Sequence, residues 1–574
     1  MELADQIASE ILRGFDKHYT LFREVSSAAK DRFERADWAA AREANRKRIH
    51  MYDQRVREAV QIVSERFPLA TVEDVIWPHV KQAYFQLLYE HKQPECAETF
   101  YNSVACRVLD RRYYRNEYIF WRPAISTEYL AGPTLDYRSF YDRGEGLHGT
   151  LRDVVLSYQL RGEWQDLERD LRHLERAIAE HFGGPWVSEV DFQIQALSSL
   201  FYRNKAGYLC GRARNGYREY PFVVPILKDE RGAMYLDALL LSAQDIGRVF
   251  SLARAYCMVD MEVPAAFVQF VSSMLPRKPR SEIYTLVGLQ KQGKTLFYRD
   301  LQHHLRHSTD EFVVAPGTRG MVMAVFTLPS FPYVFKLIRD WFPPPKDVDR
   351  ADVEAKYLLV KHHDRVGRMS DSLEYSHVAF PLERFDPALV EELQTIAGSQ
   401  IKIEGDQLIV KHLYIEKRLV PLDLFLQRAD RERARAAIRE YGNAIKELAG
   451  ANIFAGDLLL KNFGVTRFGR VVFYDYDEIG YLTDFKFRRI PQARDYDDEM
   501  SADPWFSIGP HDVFPEQFPT FLFSDPEHRQ AFLELHGDLM DPAWWIATQD
   551  KCRRGDQDDI FPYSESLRFS ERFG

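Results

Sequence analysis

The chain has 574 residues, 45% of them hydrophobic and 14% aromatic, with a formal net charge of -10. That length exceeds what one core accommodates, so two large domains or three smaller ones are expected, and the acidic balance, with a pI near 6.0, argues against a general nucleic-acid binder. Cys96, Cys106, Cys210, Cys257 and Cys552 are scattered, odd in number and form no C-x-x-C pair, so they read as thiols of a reducing compartment rather than a disulfide framework or zinc site. The opening stretch, MELADQIASEILRGFDKHY, sets acids within an amphipathic pattern without an unbroken apolar core, so no signal peptide is expected in it. No run reaches the roughly 18 apolar residues of a membrane helix, and a soluble cytoplasmic protein is expected.

From the N-terminus to about residue 300 the dominant period is helical. Ile7, Ile11, Leu12 and Phe15 share one face, Trp38 to Arg66 continues in the same manner, and helices are expected at Val80 to Tyr89, Leu151 to Ala179, Asp191 to Ala206 and Ala243 to Ala253. Glu219 to Leu241 reads instead as a hairpin turning at Asp229-Glu230-Arg231-Gly232. His303, His304 and His307 lie close on a helix, and histidines at i and i+4 can bind a metal, but without a Glu or Cys in the pattern a solvated face accounts for them. The basic segment Cys106-Arg107 to Arg111-Arg112 could receive a phosphate-bearing effector; a surface ion-pair cluster would use the same residues.

Near residue 310 the texture changes to strand. Phe312 to Leu328 reads as two strands around Ala315, Pro316, Gly317, Thr318, Arg319, Gly320 and Met321, where the glycines let backbone N–H groups approach phosphate oxygens and Arg319 adds charge. A plain hairpin turn uses the same residues. Tyr333 to Ile338 follows as a strand with Lys336 among apolar residues, placed either to reach nucleotide phosphates or to face solvent at a sheet edge. Asp347 to Asp364 is a helix in which Glu354 is the candidate partner for Lys336, and Arg365-Val366-Gly367-Arg368-Met369-Ser370-Asp371 is a turn presenting a further carboxylate.

The sheet resumes at Ile401 to Glu404 and Gln407 to Ile415, and Glu416 to Pro421 reads as the polar connection of a hinge between lobes. The helix Arg431 to Gly450, with Ala434, Ile438, Tyr441, Ile445 and Leu448 on one stripe, delivers the chain to Asp457. Asn462 comes five positions later, and Asp475 follows across a hairpin formed by Phe463 to Val465 and Val471 to Tyr474. A carboxylate beside an attacking hydroxyl, with hard oxygen ligands for a divalent cation, is the working half of a phosphoryl-transfer site, and Asp457, Asn462 and Asp475 fit those jobs in that order. D-x4-N alone occurs by chance; glycine loop, lysine, D-x4-N and aspartate in series are much harder to obtain by accident. The tail carries an acidic run at Asp495 to Glu499 and aromatics at Pro504-Trp505-Phe506 and Phe514 to Phe523, which pack on the lower lobe or grip a substrate.

The strings APGTRGMVM (315–323), VFKLIRD (334–340), HDRVGRMSD (363–371), EYGNAIKELAGANIF (440–454) and KNFGVTRFGRVVFYDYDEI (461–479) resemble the bacterial isocitrate dehydrogenase kinase/phosphatase family, over essentially the whole chain. The resemblance implies an α+β architecture: a mostly helical N-terminal regulatory domain (1–309) and a bilobal protein-kinase-like C-terminal domain (310–574), its upper lobe about 310–415 and its lower lobe about 422–574. It implies that the protein phosphorylates a serine of isocitrate dehydrogenase with ATP, inactivating it, and removes that phosphate, so controlling flux between the citric acid cycle and the glyoxylate bypass. On the family pattern residues 315 to 321 and Lys336 bind ATP or ADP, Asp371 is an active-site residue linked to dephosphorylation, Asp457 is the kinase base, Asn462 and Asp475 hold Mg²⁺ (or Mn²⁺), and Asp477 and Glu478 lie nearby, Asp477 being taken as a catalytic residue that, like Asp371, can position a water for dephosphorylation. AMP is an allosteric effector in the family, bound between the domains, with Arg112, Lys294 and Tyr298 as contacts here. A homodimer is compatible with the reading, and neither nucleic acid nor membrane is an expected partner.

The chain departs from ordinary protein kinases. Asp457 follows Ala455-Gly456 rather than His-Arg, Leu459 stands where a lysine is usual, with Lys461 available two positions later, and Asp475-Tyr476-Asp477 replaces Asp-Phe-Gly. Two other readings compete: a kinase-fold enzyme acting on a small molecule, and a catalytically dead binding module. The long helical extension favours a protein substrate, and joint retention of Lys336, Asp457, Asn462 and Asp475 disfavours the dead module.

Overall fold

The computed structural model describes residues 2–67, 75–110, 117–125, 136–251, 257–317, 319–344, 348–363, 366–492, 506–556 and 560–574. The chain divides into two compact units, one of Met1–Ser251, Ala255–His307 and Phe561–Gly574, the other of Leu252–Arg254 and Ser308–Ile560. The boundary thus falls near residue 308, but the last fourteen residues, expected with the second domain, return to the first. Among the described residues no helix is long and apolar enough to cross a membrane.

The first unit opens with the helix Glu2–Ser27, whose Ile7, Ile11 and Phe15 are buried, and with Trp38–Arg66, where the Asp37 carboxylate accepts from the Ala40 amide at 2.9 Å and caps the helix start. Two expected helices do not form as read. Leu151 to Ala179 is two helices, Gly146–Leu156 and Leu167–Phe182, the second capped by Asp166 and ended by Gly183 at φ 73°. Asp191 to Ala206 is not helical: Gln193–Leu197 and Phe201–Arg203 are strands. They belong to an antiparallel sheet ordered Tyr137–Tyr141, Gln193–Leu197, Ala206–Asn215, Arg218–Lys228, Met234–Leu236, with Phe201–Arg203 also paired to Ala206–Asn215. The hairpin read at Glu219 to Leu241 is its last pair of strands.

In the second unit the order is Ser372–Pro381, Gln407–Lys417, Tyr333–Ile338, Met323–Thr327, Val313–Val314, with Ile401–Glu404 paired to Gln407–Lys417, all antiparallel. The helix Arg350–His363 buries Val353, Tyr357 and Val360 against it. The lower lobe is organised on Arg431–Gly450, started by Asp430 accepting from the Arg433 amide at 2.9 Å. Helices Pro526–His536 and Pro542–Arg554 belong to the same lobe, where Trp545, fully buried, stacks on Phe487 at 4.6 Å and donates to the Leu539 carbonyl. The aromatic tail contributes to this core: Leu522 and Phe523 are buried, whereas Phe521 is 68% exposed. The acidic run Asp495 to Glu499 and Trp505 lie outside the described residues.

The returning C-terminal segment is held by a buried carboxylate. Asp237, 1% exposed, accepts from Tyr563 Oη at 2.6 Å and from Arg568 Nε at 3.0 and 3.1 Å, and its carbonyl accepts from the Phe569 amide at 2.7 Å. Arg568→Met leaves that carboxylate short of its charge partner and is expected to lower folding stability by on the order of 3 kcal/mol in chemical denaturation. A second buried acid sets a pH dependence: Glu95 accepts from Tyr284 Oη at 2.9 Å, its Oε2 is buried without a partner, and burial pushes its pKa up to about 7. The native state therefore holds a proton that the unfolded chain has released, so stability falls as pH rises from about 4.5 to about 7. Glu95→Gln, which stays neutral, is expected to flatten that slope in pH-resolved melting.

Candidate active site

Lys336 is buried on Tyr333–Ile338, at the register position opposite Val325 on one side and Tyr414 on the other. Its Nζ lies 2.8 Å from Glu416 Oε2 and donates to the Tyr474 carbonyl at 3.0 Å, over the Tyr474 ring. Glu416, 2% exposed, is therefore strand and not connection: Gln407–Lys417 runs two residues further than the sequence suggested, and the hinge is shorter. Lys336 does not face solvent; it reaches the residue immediately before Asp475.

The pairing considered for Glu354 is not formed. Its Oε1 lies 3.3 Å from His412 Nδ1, and His412 Nε2 lies 3.2 Å from Glu374. The helix Arg350–His363 meets the acidic segment through other side chains: Lys356 Nζ donates to the Ile479 carbonyl at 2.6 Å, and Tyr357 packs on Tyr414 and Tyr476 at 4.0 and 5.2 Å. Burial first, then the negative charges of Glu416, Asp477 and Asp475, hold the Tyr357 hydroxyl well above its ordinary pKa.

Two short ladders bring the acids of the lower lobe together. Phe463–Val465 pairs with Val471–Phe473, and the Tyr474 amide donates to the Asn462 carbonyl at 3.1 Å, so Asn462 and Asp475 flank one end of a hairpin. Ile453–Phe454 pairs with Gly480–Tyr481, setting the chain before Asp457 beside the chain after Glu478. Gly456, at φ +74°, lies where an added Cβ would meet the Glu478 carbonyl oxygen at 2.2 Å, so only glycine allows that approach. The Leu459 amide donates to Asp457 Oδ1 at 2.9 Å, and buried Asn462 donates to the Asp457 carbonyl at 3.3 Å, fixing the loop between them. Tyr441 from the helix below donates to the Leu458 carbonyl.

Asp371 stands where the chain crosses from this hairpin to the upper sheet. The Phe473 amide donates to the Arg368 carbonyl at 2.7 Å and the Ser370 amide to the Phe473 carbonyl at 2.9 Å, while Tyr476 Oη donates to the Ser370 carbonyl at 2.6 Å. One residue beyond Asp371, Ser372 pairs with Glu416, the partner of Lys336. The backbone thus sets Asp371 between the strand leading to Asp475 and the strand that carries Glu416, the ion partner of Lys336.

The glycine loop is exposed over Pro316, Gly317, Arg319, Gly320 and Met321, with Ala315 half-buried; Thr318 lies outside the described residues, as does Arg112. Arg319 Nη1 pairs with Glu392 at 2.8 Å, and Arg339 Nη1 takes the Gly320 carbonyl at 3.1 Å. Lys294 and Tyr298 share the helix Gln290–His307 of the first unit, where Tyr298 packs edge-on against Trp121 at 5.6 Å. His303 and His307 stack on each other at 4.0 Å on the same helix. Among the described residues no three His, Cys, Asp or Glu side chains converge as a metal cage. Magnesium needs none, since one or two protein oxygens and substrate phosphates complete its shell. The oxygen-rich set Asn462, Asp475 and Asp477, with Glu478 beside it, fits such a cation in chemistry. Sequence reasoning missed Glu416 and also Asp423, half-buried just past the hinge, whose Oδ1 is buried without a hydrogen-bond partner and whose charge acts on Tyr474.

Comparison with known proteins follows the same division. Residues 8–309 match the isocitrate dehydrogenase kinase/phosphatase (AceK) regulatory domain and residues 310–565 the kinase domain of the same description. An isocitrate dehydrogenase kinase/phosphatase of Dechloromonas aromatica (strain RCB) is 54% identical over 574 residues, covering 99% of this chain and 97% of that one. Proteins of that name from Burkholderia mallei (strain SAVP1) and Burkholderia pseudomallei (strain 1106a) are each 53% identical over 578 residues, covering 100% of this chain and 95% of theirs.

The Lys336–Glu416 pair makes a stability prediction separate from any assay. Lys336→Met takes the paired ammonium from the buried Glu416 carboxylate and is expected to lower stability by about 3–5 kcal/mol in urea denaturation, whereas Lys336→Met with Glu416→Leu should recover most of the loss. Equal destabilisation by the single and double variants contradicts the pairing.

Proposed function

Because the chain belongs to the isocitrate dehydrogenase kinase/phosphatase family, we propose that it transfers the γ-phosphoryl group of ATP to a serine of isocitrate dehydrogenase and also removes that phosphate, in one shared nucleotide site. The observation that carries the reading is the Lys336 ammonium on the Tyr474 carbonyl, which puts the cation of the upper sheet beside the first acid of the Asp475-Tyr476-Asp477 segment. Loop residues 315–321 and Lys336 bind the nucleotide phosphates, and Asp423 is available at the hinge side. Asn462 and Asp475 hold Mg²⁺, or Mn²⁺, which when bound neutralises charge on the phosphates.

In the forward direction the serine hydroxyl attacks the γ-phosphorus, the bond from that phosphorus to the β-phosphate oxygen breaks to release ADP, and the hydroxyl proton passes to Asp457. The Leu459 amide on Asp457 Oδ1 orients that carboxylate before substrate arrives. In the reverse direction the phosphoserine P–O bond breaks, its phosphoryl group taken by ADP or by a water that Asp371 or Asp477 positions, and the serine oxygen regains a proton. AMP, acting on the regulatory unit through Arg112, Lys294 and Tyr298, shifts the balance between the two. A cytoplasmic setting and a homodimer belong to the same proposal; among the described residues no disulfide is formed.

The test is incubation with labelled ATP, Mg²⁺ and purified isocitrate dehydrogenase, followed by ADP or AMP. Label on a serine of the dehydrogenase that is later released supports the proposal; label only on a small molecule, or none, overturns it. Asp457→Asn is expected to cut phosphorylation by about 10²–10⁴-fold. Asp371→Ala should impair release of the phosphate more than its transfer, and equal loss of both contradicts a separate role for Asp371.

A further inference from the structure

Beside the crossover at Asp371 lies an ion network, centred on buried Arg368 and Arg470 with half-exposed Glu440 and Glu447, that the proposed chemistry does not use. Arg368, 3% exposed, donates through Nε and Nη2 to the two oxygens of Glu447 at 2.7 and 2.8 Å, and through Nη1 to Glu440 at 2.7 Å and to the Val471 carbonyl at 3.0 Å. Arg470, 6% exposed, adds contacts to the Val366 carbonyl at 3.3 Å and to Glu447 at 3.4 Å. The network sets two buried guanidiniums against two half-exposed carboxylates, and Val366, Met369, Ala444 and Phe473 of the segments it joins are buried.

Stability alone is a poor reason for such a network, because well-packed apolar residues of similar volume often do as well or better. A planar guanidinium gripped on both edges does supply fixed direction. The segments it ties are the helix Arg431–Gly450, which leads to Asp457, the strand Val471–Phe473, which leads to Asp475, and the turn that ends in Asp371. Only two residues, Met369 and Ser370, separate Arg368 from Asp371. On the far side Ser372 is already paired with Glu416, so Asp371 is a single residue between two anchored points.

We propose that Arg368, gripped by Glu447 and Glu440, is a positioning residue that fixes Asp371 at the mouth of the nucleotide site. This rests on the reading of Asp371 as a residue of the dephosphorylation reaction. Lysine at 368 keeps the charge and loses the fork, so it relaxes the turn without emptying the core.

The experiment is a double-mutant cycle on the full-length protein with Arg368→Lys, Asp371→Ala and the pair, measuring kcat and KM for phosphate release from phosphorylated isocitrate dehydrogenase and for its phosphorylation, with melting temperatures alongside. Arg368→Lys is expected to lower kcat of release by about 10- to 100-fold with little change in KM, and to lower phosphorylation less. In the Asp371→Ala background the same substitution should change kcat by no more than about 2-fold. Independent, multiplying losses, or equal loss in both reactions tracking the loss of folded protein, overturn the proposal. If Arg368→Lys does not fold, Glu447→Gln takes its place in the cycle and is judged by the same outcomes. If Asp371→Ala depresses both reactions equally, the assignment of Asp371 to dephosphorylation falls, while the coupling between positions 368 and 371 still decides the positioning claim.

Discussion

The Lys336 ammonium, 2.8 Å from Glu416 and 3.0 Å from the Tyr474 carbonyl, is where the two lobes of the second unit meet electrostatically. Each partner comes from a different element: the lysine and glutamate from neighbouring antiparallel strands, the carbonyl from the exit of the lower hairpin. A buried ammonium without such partners would be strongly disfavoured, so the sheet and the hairpin must approach until all three meet. Once they do, Asp475 and Asp477 lie at the base of the upper sheet.

That constraint explains other features of the region. Gly456 closes the gap between the Asp457 loop and Glu478, which keeps that loop against the acidic segment. Asp371 is drawn in because the strand it begins pairs with the Glu416 strand, while the turn it ends pairs with Phe473. The result sets the segments that carry Asp371, Asp457, Asp475 and Asp477 beside the strands that carry buried Lys336 and Glu416. Under the proposed function one such set serves phosphoryl transfer in both directions, the groups that orient a serine hydroxyl also orienting a phosphoserine and a water.

Much of this was legible in the sequence where the signal is local. Arg431–Gly450 announces itself through an apolar stripe, and Tyr333–Ile338 through a short apolar run around Lys336. Of the sheet of the first unit only the hairpin at Glu219 to Leu241 was legible: Gln193–Leu197 is short, and its partner Ala206–Asn215 carries Gly207, Gly211, Arg212 and Arg214 in place of a hydrophobic run. Only the pairing, in which Gly211 admits the Phe222 ring, makes them strands. Glu416 and Arg368 were missed for a related reason. A charged residue in a sequence reads as surface, and both are buried here by partners supplied from distant elements, Lys336 for one and Glu440 with Glu447 for the other. Glu354 was the natural partner for Lys336 by analogy of helix position, but His412 takes it.

The most direct test of the central claim is a crystal structure of the protein with Mg²⁺ and a non-hydrolysable ATP analogue. The account predicts phosphate oxygens within about 3 Å of Lys336 Nζ and a cation about 2.1 Å from oxygens of Asn462 and Asp475. A nucleotide bound elsewhere, with Lys336 still closed on Glu416 and the Tyr474 carbonyl and no cation on those two residues, would contradict it.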